Sequence, residues 1–204
     1  MIGKRTWHFG ETEAQIQKSI KRDTGTTQES LGFRICGMQV FQPPRGEVWE
    51  PERRQGKLVT DKTMQRILKG FASSNYGWWE VSDSDCPEPN GALVEEVYGG
   101  ERGVIAQLKE LEKWFQTQTH FHFYSSSVLI IYDGIPEPAD AGVTGDHPPD
   151  GRRRKRKVSV HLIDFAHVVN GGGSVDVNFL HGLQSLICQL TAVLESYRQL
   201  SCPA

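Results

Sequence analysis

Val158 to His167, VSVHLIDFAH, is the stretch on which the reading of this chain turns. Its first six residues alternate, with Val158, Val160 and Leu162 on one face and Ser159, His161 and Ile163 on the other, as a half-buried β-strand requires. Asp164 follows where the strand runs out, a place from which a carboxylate can face a crevice. Enzymes that move phosphoryl groups set an acid there to hold Mg²⁺ against nucleotide phosphates. A surface Asp that opens a turn is the competing reading of so short a motif.

Working outward, a second extended stretch, Phe121 to Asp133 (FHFYSSSVLIIYD), sets three serines against the apolar run Val128 to Ile131. Downstream, Asp176 to Ile187 reads DVNFLHGLQSLI and opens a helix near Phe179 to Leu200 that buries Leu183, Leu186, Ile187, Leu190 and Leu194. Glu101 to Gln118 is the clearest helix, because Val104, Ile105, Leu108, Leu111, Trp114 and Phe115 recur at helical spacing. Residues 11–22 form a shorter amphipathic helix with acids first and bases last, which suits the helix dipole. Asp23 to Ser30 reads as turn, Leu31 to Phe41 as a strand interrupted by Gly37, and Asp61 as the cap of a helix ending at Phe71.

Composition narrows the class. The 204 residues, 37% apolar and with a net charge of −2, suffice for one core and argue for a single domain. No uninterrupted apolar run approaches the roughly 20 residues of a membrane span, and MIGKRTWHFG lacks the apolar stretch of a signal peptide. Cys36, Cys86, Cys188 and Cys202 have no C-x-x-C pairing, so free thiols are expected in place of zinc or a disulfide framework. Two regions read as insert-like. Residues 43–100 are largely irregular apart from the 61–71 helix, with Trp78 and Trp79 either anchoring a long loop or stacking on a ligand base. Residues 135–157 begin Pro-rich and acidic, read as disordered, and end in the bases Arg152 to Lys157, RRRKRK.

In order, C-G-M-Q at Cys36 to Gln39, S-S-S-V-L-I-I-Y-D-G from Ser125, L-I-D-F-A-H from Leu162 and D-x-N-F-L-x-G-L-x-S-L-I from Asp176 resemble the motifs of the inositol polyphosphate kinase family, closest to its multikinase branch. The resemblance implies an α+β fold, the C-terminal lobe of a protein-kinase-related architecture. On that reading Leu31 to Phe41, Phe121 to Tyr132 and Val158 to Asp164 form one antiparallel sheet with helices packed on it. It also implies transfer of the ATP γ-phosphate to a hydroxyl of inositol trisphosphate or a higher inositol phosphate, with ATP and Mg²⁺ as cofactors.

Carried over residue by residue, the resemblance makes Asp164 the catalytic metal ligand and places Ser127 beside the same metal and phosphates. Gln39, His167, Lys21 and Arg22 fall on the substrate side, where cationic side chains suit a polyanion. For Ser127 the structural alternative is a hydroxyl satisfied by backbone at a strand start, and for Lys21 and Arg22 a solvated helix end. The chain departs from the family at its front. Ile2-Gly3 match the end of P-x-x-x-D-x-K-x-G, but that motif's Pro, Asp and Lys and the nucleotide-binding N-terminal lobe are missing from these 204 residues. Two readings stay open: a kinase represented by an incomplete chain, or a non-catalytic binding or scaffolding module. Arg152 to Lys157 is read as a nuclear-import signal, which gives a nuclear and cytoplasmic distribution, with anionic lipid, nucleic acid or an inert solvated loop as competitors.

Overall fold

A computed structural model describes residues 1–42, 46–52, 55–74, 88–134 and 156–201. In chain order the elements are α1 (Glu13–Asp23), α2 (Thr27–Ser30), β1 (Val40–Gln42), β2 (Glu47–Trp49), a 3₁₀ turn (Gln55–Lys57), α3 (Asp61–Phe71), α4 (Val94–Tyr98), α5 (Val104–Thr117), β3 (Phe121–Phe123), β4 (Ser127–Tyr132), β5 (Val158–Ile163), β6 (Val168–Asn170) and α6 (Val177–Ser201). The fold is α+β, as expected.

The helices start where local chemistry allows. At α1, Thr12 and Gln15 form a reciprocal capping box, with the Thr12 N–H donating to Gln15 Oε1 at 2.9 Å. At α3 the cap is Thr60, not Asp61; Asp61 occupies the first helical position and accepts from the Ser30 hydroxyl. Helix α6 is held by Asp176, whose carboxylate is 1% exposed and accepts from the backbone N–H groups of Phe179 (2.9 Å) and Phe123 (2.6 Å). One buried acid thereby fixes the start of α6 against β3.

The core lies where α3, α4, α5 and α6 meet. Its centre is aromatic: Phe115 of α5 stacks on Phe179 of α6 with centroids 4.2 Å apart, and Phe123 of β3 meets both rings. Each fully buried side chain of this size contributes on the order of 1.5–3 kcal/mol. Trp114, expected on the buried stripe of α5, is 44% exposed, because the apolar set there spans more of the helix than the core can cover. By length and composition α6 could cross a membrane, but its apolar side is committed to this core. Helix α4 was missed inside residues 43–100. Five residues are too few to show a period, although Val94, Val97 and Tyr98 are fully buried. Strand β2 was missed there too.

Gly182 of α6 lets three backbones meet. A Cβ built there would stand 2.1 Å from the Gly32 carbonyl oxygen and 2.6 Å from the Gly3 nitrogen, which themselves hydrogen bond at 2.8 Å. Gly3, at φ +98°, faces Asn178 with equally little room. Asn178 then exchanges two hydrogen bonds with the Arg5 backbone, at 2.7 and 2.8 Å, and ties the first residues of the chain to the start of α6.

The strands correct the expected single sheet. Leu31 to Phe41 is not one strand: Phe33 forms only an isolated bridge to Ile2, and regular pairing begins at Val40, whose partner strand is β2. The stretch Phe121 to Asp133 is also broken. Its first part, β3, pairs antiparallel with β6, and its second part, β4, pairs antiparallel with β5 in the register Ser127↔Ile163 to Tyr132↔Val158. Asp23 to Ser30, read as turn, contains the short α2, whose cap Thr26 accepts from the Gln28 N–H.

Candidate functional site

Chain segments 121–132 and 158–170 run side by side in opposite directions, and both leave the strand conformation at the same level. Residues 124–126 interrupt one and residues 164–167 the other. Among the described residues, two that are not glycine adopt left-handed backbone, Ser125 at φ +53° and Asp164 at φ +65°, one in each break. Asp tolerates this region better than most residues, but at a cost that the surroundings must hold in place, and such outliers gather at functional sites.

The three serines divide the work. Ser125 Oγ donates to the Thr6 carbonyl at 2.9 Å, and Ser126 Oγ donates to the Asp164 carbonyl at 2.8 Å. The Ser126 carbonyl accepts from the Ile2 N–H at 2.9 Å. Ser127, which pairs with Ile163, leaves its hydroxyl without a hydrogen bond among the described residues. The backbone-satisfied role foreseen as an alternative for Ser127 thus falls to its two neighbours. The Asp164 side chain is exposed and makes no hydrogen bond or salt bridge among the described residues. A carboxylate and a hydroxyl at adjoining strand ends form a hard oxygen donor set that fits a divalent cation such as Mg²⁺ or Mn²⁺.

His167 closes the second break. Its carbonyl accepts from the Tyr124 N–H at 3.1 Å, and its exposed ring lies 6.2 Å from that of His8, centroid to centroid. Arg22, at the end of α1, is tied inward: Nε meets Asp23 Oδ1 at 3.0 Å and Nη2 donates to Thr6 Oγ1 at 2.7 Å. Thr6 Oγ1 in turn donates to Asp23 Oδ2, while Arg34 Nη1 reaches Asp23 Oδ1 at 3.2 Å. Asp23 is only 7% exposed, so this ion pair is more strongly felt than a surface one. Thr6 therefore links Arg22 to the serine break. Lys21 beside it is exposed and makes no hydrogen bond or ion pair among the described residues. Gln39 is exposed and donates to Glu50 at 3.0 Å; no hydrogen bond or ion pair joins it to the other five residues.

Sequence reasoning gave no site role to residues 5–11. Arg5 lies over the rings of Trp7 (4.9 Å), Phe9 (4.7 Å) and Tyr124 (5.2 Å) and donates to the Tyr124 hydroxyl at 2.8 Å. The spacing of Arg5, Trp7 and Phe9 by two is the signal that was available, since alternate residues of extended chain share a face. His8 and Glu11 share one turn, closed by the Glu11 N–H on the His8 carbonyl at 3.1 Å, with His8 Nε2 3.6 Å from Glu11 Oε1. Asp23 and Arg34, the partners that orient Arg22, were likewise not singled out.

Trp78, Trp79, Cys86, Cys202 and Arg152 to Lys155 lie outside the described residues. Cys36 and Cys188 are free and exposed. Arg156 departs from the expected solvated run. Its side chain is 7% exposed, with Nε 2.6 Å from Glu96 and Nη1 2.6 Å from the Asp133 carbonyl.

Comparison with known proteins gives the chain its family. The chain is 38% identical over 195 residues to inositol polyphosphate multikinase alpha of Arabidopsis thaliana, covering 96% of this chain and 63% of that protein. It is also 38% identical to the beta form from the same plant, of which it covers 61%. It therefore spans less than two thirds of the length of these relatives. Among solved structures, an inositol phosphate multikinase aligns with a TM-score of 0.75 at 34% identity, over 94% of this chain and 76% of that one. Another, from S. cerevisiae in complex with ADP and Mn²⁺, aligns at 0.60 and 20% identity over 95% and 76%, a likeness of fold. Residues 1–191 match the sequence model described as inositol polyphosphate kinase, and the chain belongs to that family.

Proposed function

We propose that this chain is part of an inositol phosphate kinase that passes the γ-phosphate of ATP to a hydroxyl of inositol trisphosphate or a higher inositol phosphate. The observation that carries the reading is the Asp164 carboxylate, held in left-handed backbone directly after the β5 residue that pairs with Ser127 and without a hydrogen bond or salt bridge among the described residues. Asp164 and Ser127 are the residues that would hold a divalent cation, Mg²⁺ or Mn²⁺. When bound, that cation neutralises charge on the nucleotide phosphates. A structural relative bound to ADP and Mn²⁺ supports the same class of ligands here.

On the substrate side, Arg22 offers a guanidinium braced by Asp23 and Thr6, and a fixed cation loses little entropy when it takes a phosphate. Lys21 adds a mobile charge beside it. His167 lies three residues beyond Asp164, close enough to contact the acceptor while Asp164 serves the donor. Gln39 joins this set by resemblance, and on binding it must exchange Glu50 for substrate. In the cell, Arg152 to Lys157 serves as an import signal that places the kinase in the nucleus as well as the cytoplasm.

The test is phosphate transfer to a panel of inositol phosphates, by the 204-residue chain and by a chain extended upstream through a D-x-K motif. The extended chain is expected to turn over, and the shorter one not measurably. In the extended chain, His167→Ala and Gln39→Ala are expected to raise KM for the inositol phosphate more than KM for ATP. Equal effects on both would remove these residues from the substrate side, and an inactive extended chain would leave the binding-module reading.

A further inference from the structure

We propose that His8, Glu11 and His167 form a site for a divalent transition metal of the zinc class, separate from the oxygen site at Asp164 and Ser127. One donor atom from each of the three lies within 4.8 Å of the other two. Zinc bound to nitrogen and oxygen ligands at about 2.0–2.2 Å holds its donors roughly 3.3–3.6 Å apart. His8 Nε2 and Glu11 Oε1 already stand at 3.6 Å. The third ligand needs to close by little more than 1 Å, which the exposed side chain of His167 can do by rotation about its own bonds.

The turn pre-forms the pair. The Glu11 N–H donates to the His8 carbonyl at 3.1 Å, and the Glu11 carboxylate accepts from the His8 N–H at 3.3 Å, so two ligands are set by one closed loop of chain. Little conformational entropy remains to be lost when a cation joins them. Two imidazoles and one carboxylate favour Zn²⁺, Co²⁺ or Ni²⁺ over Mg²⁺ or Ca²⁺, which prefer oxygen. Three protein ligands leave a coordination position for water.

Binding rearranges one proton. His8 Nδ1 accepts from the Gly10 N–H at 3.1 Å, so the neutral ring carries its proton on Nε2, towards Glu11. Metal at Nε2 releases that tautomer: the ring proton moves to Nδ1, and the Gly10 N–H, which is exposed, turns to solvent. Because His167 also belongs to the substrate side proposed above, Zn²⁺ is expected to raise KM for the inositol phosphate without raising KM for ATP. That clause alone rests on the functional reading.

The experiment titrates Zn²⁺ into the full chain in competition with a chromogenic chelator. All four cysteines are replaced by serine, so that thiols such as exposed Cys36 and Cys188 cannot bind the metal. Co²⁺ absorption serves as a second readout. One equivalent is expected to bind, with affinity reduced more than about a hundredfold in His8→Phe and in Glu11→Gln, and unchanged in His181→Phe. Zn²⁺ should raise the melting temperature of the parent but not of Glu11→Gln, a near-isosteric change that preserves folding if His8→Phe does not. Undiminished affinity in Glu11→Gln, or a loss in His181→Phe equal to that in the ligand variants, would overturn the site. Neither result depends on kinase activity.

Discussion

The Ser126 hydroxyl donates a 2.8 Å hydrogen bond to the backbone carbonyl of Asp164, across the two facing breaks in the antiparallel segments. It holds the backbone of a residue at φ +65° while leaving its side chain free. Asp164→Asn, which keeps the shape and tolerates left-handed backbone, is expected to abolish turnover in the extended kinase with little change in melting temperature. Ser126→Ala should do the reverse in part. It removes one hydrogen bond, at a cost of about 0.5–1.5 kcal/mol, and lowers kcat without eliminating it. Normal kinetics in Asp164→Asn would sink the assignment.

Asp176 is expected to be among the most sensitive positions for stability. Its two carboxylate oxygens satisfy separate backbone donors, Phe123 and Phe179, in a site closed to water. Asp176→Ala should cost about 3 kcal/mol, as a lost cap plus a second unpaired N–H. Asp176→Asn should cost less, because one oxygen survives. Chemical denaturation of both variants checks the order.

Gly182→Ala sets two effects against each other. Alanine favours a helix interior over glycine by about 1 kcal/mol. Its methyl carbon, however, would stand 2.1 Å from a backbone oxygen that no side-chain rotation can move away. The clash should win, with a net loss at or above the upper end of the usual range of about 1–3 kcal/mol for overpacking. A neutral or stabilising result in a thermal melt would show that α6 and the Gly32 segment are not in contact in solution.

What was legible in the sequence follows from how local each signal is. β5 and its terminal acid could be read because alternation and the abrupt Asp164 sit in one decapeptide. α3, α5 and α6 were read to within a few residues from their apolar period. The break at Ser125 was not, since three serines are compatible with strand or turn and only the tie to Thr6 selects the turn. β6 escaped for the same reason as α4: three residues carry no period. Within the site, the family resemblance singled out Asp164, Ser127, His167 and Arg22. Of the residues that orient them, Thr6, Arg34 and Ser126 act through contacts between separated segments, which neither spacing nor composition reveals, and Asp23, next to Arg22 in sequence, is fixed by its contacts with Thr6 and Arg34.

Alkaline pH should weaken the fold through its buried tyrosines. Burial pushes the Tyr132 hydroxyl up to about 12, only partly offset by the nearby Arg156 guanidinium, and pushes Tyr98 well above its ordinary range. Both hydroxyls donate to backbone carbonyls, of Phe71 and Leu68, and so are bound in the protonated form. Because the folded values lie above the unfolded one, near 10, this stability is fully present below pH 10. It is lost as the pH rises from there through the folded values. By pH 12 Tyr132 alone accounts for a loss on the order of 2 kcal/mol. Tyr132→Phe should be about 1 kcal/mol less stable at neutral pH, for its lost hydrogen bond, yet show a shallower decline between pH 10 and 12. Parallel profiles for the two proteins would rule Tyr132 out as the source.

The proposed import signal is expected to reside in Arg152 to Lys155 more than in Arg156. A receptor that reads a basic run needs side chains it can surround, and Arg156 is enclosed by Glu96 and the Asp133 carbonyl beside β5. Pulling Arg156 out would leave Glu96 unpaired and loosen the start of the strand that ends at Asp164. In a fluorescently tagged chain too large to diffuse through nuclear pores, replacing Arg152 to Lys155 with alternating Gln and Ser should move the protein from nucleus to cytoplasm. Arg156→Gln should leave its distribution unchanged while lowering the melting temperature. If the four-residue replacement has no effect, the run is an inert loop. If it instead releases the protein from vesicles of anionic lipid while the nuclear fraction stays constant, membrane attraction is the better account of these charges.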